Sequence, residues 1–365
     1  MKSSIKNRLS SLVFLILLSL GFLLSCNNPK GSTTAEHRVR HLIDTIGFSQ
    51  YDWQMDSIMS RISIDDKVQT DVFDKVVICP HDDYAYAGGL YRKTLAGIKA
   101  KTILLIGVAH KARNFSLENK LVFGDFQEWK GTYGKVAVSP LRDKIIKKMS
   151  PESFMVHDSM MQLEHSLEAI TPFLQYSNKE VEIIPVLVPY FEFEKMEAFS
   201  SELADALFDI MKEENLNFGK DVAIVISNDA IHYGDEEWGG SQLAPFGVDS
   251  LGTAQAKQKD LEIISNCLQG ELSHEKIKLF NSYTVNEDSF KEYKWTWCGR
   301  YSVPFGLLTA KALNERIEHK ALNGELVDYR TSFHNIHIEV IDLCMGTTDP
   351  AYQRNWVGYV GMIYN

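Results

Sequence analysis

The sequence predicts a single three-layer α/β domain whose central sheet is mixed, largely parallel and flanked by helices. Three observations carry this. Short β-branched runs alternate with stretches whose apolar residues recur every three or four positions, the rhythm of a doubly wound sheet. The first of those runs, V-V-I-C at 76–79, is apolar throughout, as a strand buried on both faces is. Finally, 365 residues with 45% hydrophobic content bury a sizeable core, and no repeat, low-complexity tract or boundary interrupts the chain after residue 73.

Taken in order, residues 1–25 read as an export signal. Lys2, Lys6 and Arg8 precede an apolar run at 12–24 that is short for a bilayer span. The run ends L-L-S-C, which resembles a bacterial lipobox, so Cys26 is expected to carry the lipid and become the new N-terminus. That implies an exported, membrane-anchored lipoprotein, on the periplasmic or outer-membrane face. Residues 26–72 are expected to form the lipidated N-terminus, a polar linker (N-N-P-K-G-S-T-T-A) and an extension of mixed helical character around Val39, Leu42, Ile43 and Ile46. The α/β domain then spans 73–365.

Within it, strands are expected at 76–79, 102–106, 181–188 and 222–227, and helices at 90–98, 141–149, 163–174 and 193–213. A last helix at 305–313 and strands at 326–333, 336–340 and 356–364 complete the reading. The net charge is −10, and about −13 once the three basic residues of the leader are gone. This balance argues against a nucleic-acid partner, which normally requires clustered Lys and Arg.

Ligands of open α/β sheets sit beyond the carboxyl ends of the strands. There the sequence places Pro80-His81-Asp82-Asp83-Tyr84 after the first strand and Gly107-Val108-Ala109-His110 after the second. The 222–227 strand is followed by Asn228-Asp229-Ala230-Ile231-His232. Three histidines on one sheet edge suggest a site. Glu164-His165-Ser166-Leu167-Glu168 adds two carboxylates one turn apart near an expected helix start, where acidic side chains are also simply favourable. Cys298, in W-C-G-R before an apolar helix, sits where backbone N–H groups lower a thiol pKa; its other reading is a small packed residue. Two imidazoles and a thiolate suit zinc, copper or iron alike. Cys267 and Cys344 lie in apolar surroundings and read as packed thiols. Cys79 reads as core, or as a redox partner for Cys298.

The motifs P-H-D-D-Y-A-Y-A-G-G, I-G-V-A-H, Q-L-E-H-S-L-E-A-I-T-P-F-L, I-I-P-V-L-V, S-N-D-A-I-H-Y and C-G-R, in this order, resemble the Memo family, also called AmmeMemoRadiSam system protein B. The resemblance runs from about residue 75 to the C-terminus. It implies a fold similar to the class III extradiol dioxygenases and a metal held by His81, His110 and Cys298, with iron or copper favoured and zinc the alternative. It also implies a pocket containing Asp229 and His232, where a carboxylate orienting a histidine would move protons. Tyr84, Glu164 and His165 are expected to touch an unidentified small-molecule or peptide substrate, and the family association points to AMMECR-type and radical SAM proteins as partners. Three functions follow: a metal-dependent, dioxygenase-like oxidoreductase, a metal- or ligand-binding protein without turnover, and a zinc-dependent hydrolase. Two departures stand out. Asp82 and Asp83 replace small residues beside the first histidine, and Ala109 replaces a serine beside the second, both changes close enough to tune the metal.

Overall fold

The computed structural model describes residues 37–62, 73–235 and 243–365. The expected export signal, Cys26 and the expected linker as far as residue 36 lie outside the described residues. No helix among the described residues is long and apolar enough to cross a membrane.

In chain order the elements are β1 (Val39–Arg40), α1 (Asp52–Arg61), β2 (Val76–Cys79), α2 (Tyr84–Thr94), β3 (Thr102–Val108), β4 (Leu121–Phe123), β5 (Glu128–Gly131), β6 (Gly134–Val138) and α3 (Leu141–Lys148). They continue with β7 (Phe154–Val156), α4 (Asp158–Leu163), α5 (Thr171–Ser177), β8 (Glu182–Val188), α6 (Phe193–Glu214), β9 (Val222–Ser227) and β10 (His232–Gly234). The last are α7 (Ser250–Ile263), β11 (Gly270–Glu271), α8 (His274–Thr284), α9 (Ser302–Glu318), β12 (Asn323–Thr331) and β13 (Asn355–Tyr364).

The sheet runs β1-β5-β6-β8-β3-β9-β2-β13-β12-β11. Its middle, β6-β8-β3-β9-β2, is parallel throughout, and β13 and β12 extend it antiparallel. Strand alternation sorts side chains to two cores: Val76 and Ile78 face one with Leu203, Leu207 and Phe305, while Val77 and Cys79 face the other with Leu90, Tyr91 and Phe173. Helices α6 and α9 cover the first face and α2, α5 and α1 the second. This is the expected single α/β domain with a mixed, mostly parallel sheet.

Several elements differ from the sequence reading. Residues 37–62 belong to the same compact unit as the rest and are not an extension beside it: β1 pairs with β5, and α1 packs on α5 and α2. Helix α2 starts at Tyr84, not at residue 90. It runs through Gly88 and Gly89, because burial of Ala85, Ala87, Leu90 and Tyr91 outweighs the roughly 1 kcal/mol that each helical glycine costs. The helix expected at 163–174 is broken. α4 ends at Leu163 and α5 opens at Thr171-Pro172, where proline is at home in a first turn. Residues 336–340 form no strand, and Ile338 N–H instead caps the Ala85 carbonyl at 2.8 Å. Cys267 is buried as expected, but Cys344 is exposed, at a left-handed turn.

Candidate metal centre

The parallel strands β2, β3 and β9 end side by side, which brings His81, His110 and Asp229 to one edge. The loop before α9 delivers Cys298 to the same place. Gly299 makes this approach feasible, since a Cβ there would lie 2.2 Å from Asn228 Oδ1, whose oxygen takes the Gly299 N–H at 3.1 Å. One ligating atom from each of His81, His110 and Cys298 falls within 4.8 Å of the other two, a group able to hold a metal ion. Cys298 Sγ and His81 Nε2 are 3.4 Å apart.

The imidazoles are fixed by their outer nitrogens. His81 Nδ1 is 2.6 Å from Ser227 Oγ, and that hydroxyl already donates to the Ser166 carbonyl at 2.8 Å. Ser227 therefore accepts, His81 carries its proton on Nδ1, and the Nε2 lone pair faces Cys298. His110 Nδ1 lies 2.8 Å from Glu164 Oε1. Glu164 also accepts the His110 and Ser166 N–H groups at 2.7 and 3.0 Å. Burial works against its charge, but His110, His165 and these N–H groups outweigh it and hold the carboxyl down to about 2. An ionised acceptor on Nδ1–H leaves His110 Nε2 free to ligate, the carboxylate–histidine arrangement of metal sites. Burial and mutual proximity lower the pKa of His81, His165 and His232, so all three are neutral at pH 7.

Other expected residues are placed differently. Asp229 engages His81 with both oxygens: Oδ1 accepts the His81 N–H at 3.0 Å and Oδ2 is 3.3 Å from His81 Nε2. Burial, with Asp82 adding, raises its carboxyl well above the usual range. His232 stands across the group, within ligating range of Asp229 and Cys298. Tyr84 is fully buried among Phe48, Tyr91 and Phe173 and donates to the Ala169 carbonyl at 2.6 Å, so it touches no cleft; the tyrosine that lines the cleft is Tyr86. Glu164 and Glu168 diverge because no helix joins them. Glu168 pairs with the buried Arg40 at 2.5 Å, and Arg40 also holds the Glu164 and Met161 carbonyls. Removing either partner of such a pair costs about 3–5 kcal/mol, so Arg40 on β1 braces the Glu164 segment.

Cys298 does not sit at a helix N-terminus, as α9 begins only at Ser302, and burial pushes its thiol well up instead of down. Its Sγ takes the Asp229 N–H at 3.1 Å. Cys79 packs in the core as a free thiol. Asp82 and Asp83 are stitched to the C-terminal region. Asp82 accepts Tyr359 OH at 2.5 Å, and Asp83 accepts Thr348 N–H at 2.6 Å. Burial and the Asp82 charge raise Asp83 to about 8, so it is neutral at pH 7.

His81, His110, His165, Asp229 and His232 form one wall of a cleft of ≈ 240 Å³, closed opposite by Asp349, Asn355 and their neighbours. Sequence reading missed Ser227, which only the meeting of β2 and β9 puts beside His81, and Asp260. Asp260 on α7 accepts both indole N–H groups of Trp295 and Trp297, at 2.8 and 2.7 Å, and Tyr329 OH at 2.8 Å. It thus anchors the segment that carries Cys298.

The sequence profile described as Memo-like protein matches residues 50–339. A MEMO1 family protein of Aquifex aeolicus is 28% identical over 296 residues, covering 80% of this chain and 85% of its own. MEMO1 family proteins of Pyrococcus furiosus and Thermococcus kodakarensis are 25% and 27% identical, each covering 70% of this chain and 79% of its own. With the profile spanning most of the chain and the two-histidine, one-cysteine group assembled at the strand ends, the protein belongs to the Memo-like family.

Proposed function

We propose that the chain is a metal-dependent redox enzyme that holds iron or copper through His81 Nε2, His110 Nε2 and Cys298 Sγ. The observation that carries this is the locking of both Nδ1–H groups, by Ser227 and by Glu164, which leaves two imidazole lone pairs and a sulfur converging beside an open cleft. Two imidazoles with a soft sulfur donor match those metals. Bound there, the metal supplies the electron transfer that side chains lack.

The chain's own residues bind, orient and move protons. Asp229 stands beside His81 Nε2, and His165 and His232 present neutral imidazoles to the cleft as bases. Glu164 fixes the His110 tautomer, and Asp82 and Asp83 narrow the cleft beside His81. The signal at residues 1–26 puts this chemistry on an exported, lipid-anchored protein; fatty-acid labelling lost in Cys26→Ala tests that part.

Metal quantification of protein purified without chelators or nickel resin is the test. Stoichiometric iron or copper, lost in His81→Ala and in Cys298→Ser, is expected. No metal, or metal unchanged in both variants, overturns the reading. One observation favours a second reading, metal handling without turnover: the Asp229 carboxyl is closely engaged with His81. Oxygen uptake with catechols and reductants separates the two, and zinc as the sole metal would point to hydrolysis instead.

A further inference from the structure

Behind the proposed centre lies a second, smaller cavity of ≈ 70 Å³, lined by His110, Cys298, Arg300, Tyr190, Tyr293 and Tyr301 among others. His110 lines both this cavity and the cleft, whereas Cys298 borders only this one. Arg300 is 3% exposed. Its Nη2 donates to the Lys291 carbonyl at 2.9 Å, but Nε and Nη1 have no acceptor, and no carboxylate pairs with it among the described residues. The guanidinium lies 3.4 Å from the centroid of Tyr293 and 4.8 Å from that of Tyr301. Rings over the guanidinium stabilise its charge, and the Tyr293 and Tyr301 hydroxyls interact with it, yet Nε and Nη1 meet no acceptor in hydrogen-bond geometry. A buried cation with unmet donors is stable when an anion completes it.

We infer that this cavity is an anion site in which Arg300 binds a small carboxylate beside Cys298 and His110. A space of ≈ 70 Å³ holds a few waters or one small flat anion, and a single guanidinium matches one negative charge and the planar carboxylate shape. Tyr293, one of the lining residues, is 44% exposed. The site itself requires no metal. Its link to turnover, in which a carboxylate-bearing substrate is anchored at Arg300 with its reactive end toward His110 and Cys298, rests on the redox reading above.

The test uses the full-length protein stripped with chelator, so that it is independent of metal content. Acetate is titrated while the unfolding temperature and intrinsic fluorescence are followed. A saturable response is expected, weakened at least tenfold in Arg300→Gln and unchanged in Asp349→Asn on the other cleft. In parallel, crystals of the unsubstituted protein are soaked in bromide, which guards against a variant that fails to fold. An anomalous peak in contact with Arg300 Nε or Nη1, displaced by acetate, is the supporting result. No saturable response, an equal response in Arg300→Gln, or bromide found only elsewhere on the protein overturns the inference.

Discussion

Glu164→Gln tests the logic of the centre most directly, because it changes one atom type and almost no volume. The carboxylate accepts three N–H groups, two from His110 and one from Ser166. A glutamine has one oxygen for these positions. With the oxygen at the Oε1 position, the new NH₂ points at the His110 backbone N–H, 2.7 Å away, and one bond becomes a repulsion. In the other orientation the NH₂ faces His110 Nδ1 and can be accepted there only if the ring proton moves to Nε2, which removes the ligating lone pair. Each orientation forfeits a hydrogen bond to a charged group, worth about 1.5–3 kcal/mol. The expected outcome is a metal-free protein destabilised by that amount, with metal affinity reduced roughly 10- to 100-fold, as for other lost partners of ligating histidines. Competition against a chromophoric chelator measures the affinity, and urea unfolding of the metal-free form measures the stability. A folded variant with metal affinity within twofold of the parent would refute the claim that Glu164 sets the His110 tautomer.

Ser227→Ala removes the acceptor for His81 Nδ1–H and the donor to the Ser166 carbonyl; about 1–3 kcal/mol of stability and about tenfold in metal affinity should be lost by the same assays. Gly299→Ala drives a Cβ into the buried Asn228 and should displace the Cys298 loop, lowering stability by about 1–3 kcal/mol and emptying the metal site in elemental analysis. Burial raises Asp260 from 3.8 to about 6, so between those pH values the folded chain holds a proton that the unfolded chain has released. Stability should therefore fall by roughly 2 kcal/mol as pH rises from 4 to 6 through this group. Asp260→Asn should remove that slope, as read by urea midpoints at pH 4.5, 5.5 and 6.5, and an unchanged slope would assign it elsewhere.

The elements read well from sequence were those whose signal is local. β2 and β9 were legible to the residue because a β-branched run stops at proline or a polar residue, and the histidines of the strand ends stood out for the same reason, whereas Cys298 stood out before an apolar helix. Elements set by distant partners were misread. The 163–174 stretch has helical periodicity but breaks where Arg40 holds the Glu164 carbonyl and Glu164 reaches His110. Tyr84, five residues beyond a strand end, looked poised for substrate, yet α2 turns its ring into the core.

What the sequence determined by itself was the α/β class and which side chains lie at strand ends, since backbone periodicity and burial are properties of neighbouring residues. The motifs' family resemblance already grouped His81, His110 and Cys298, whereas the partners that hold them were decided by the tertiary structure alone. The partners that fix each tautomer and charge, Ser227 for His81, Glu164 for His110 and Asp260 for the tryptophans beside Cys298, lie 146, 54 and 35–37 positions away in the chain. Hydrogen bonds act over about 3 Å, so only the packed sheet could reveal those pairings.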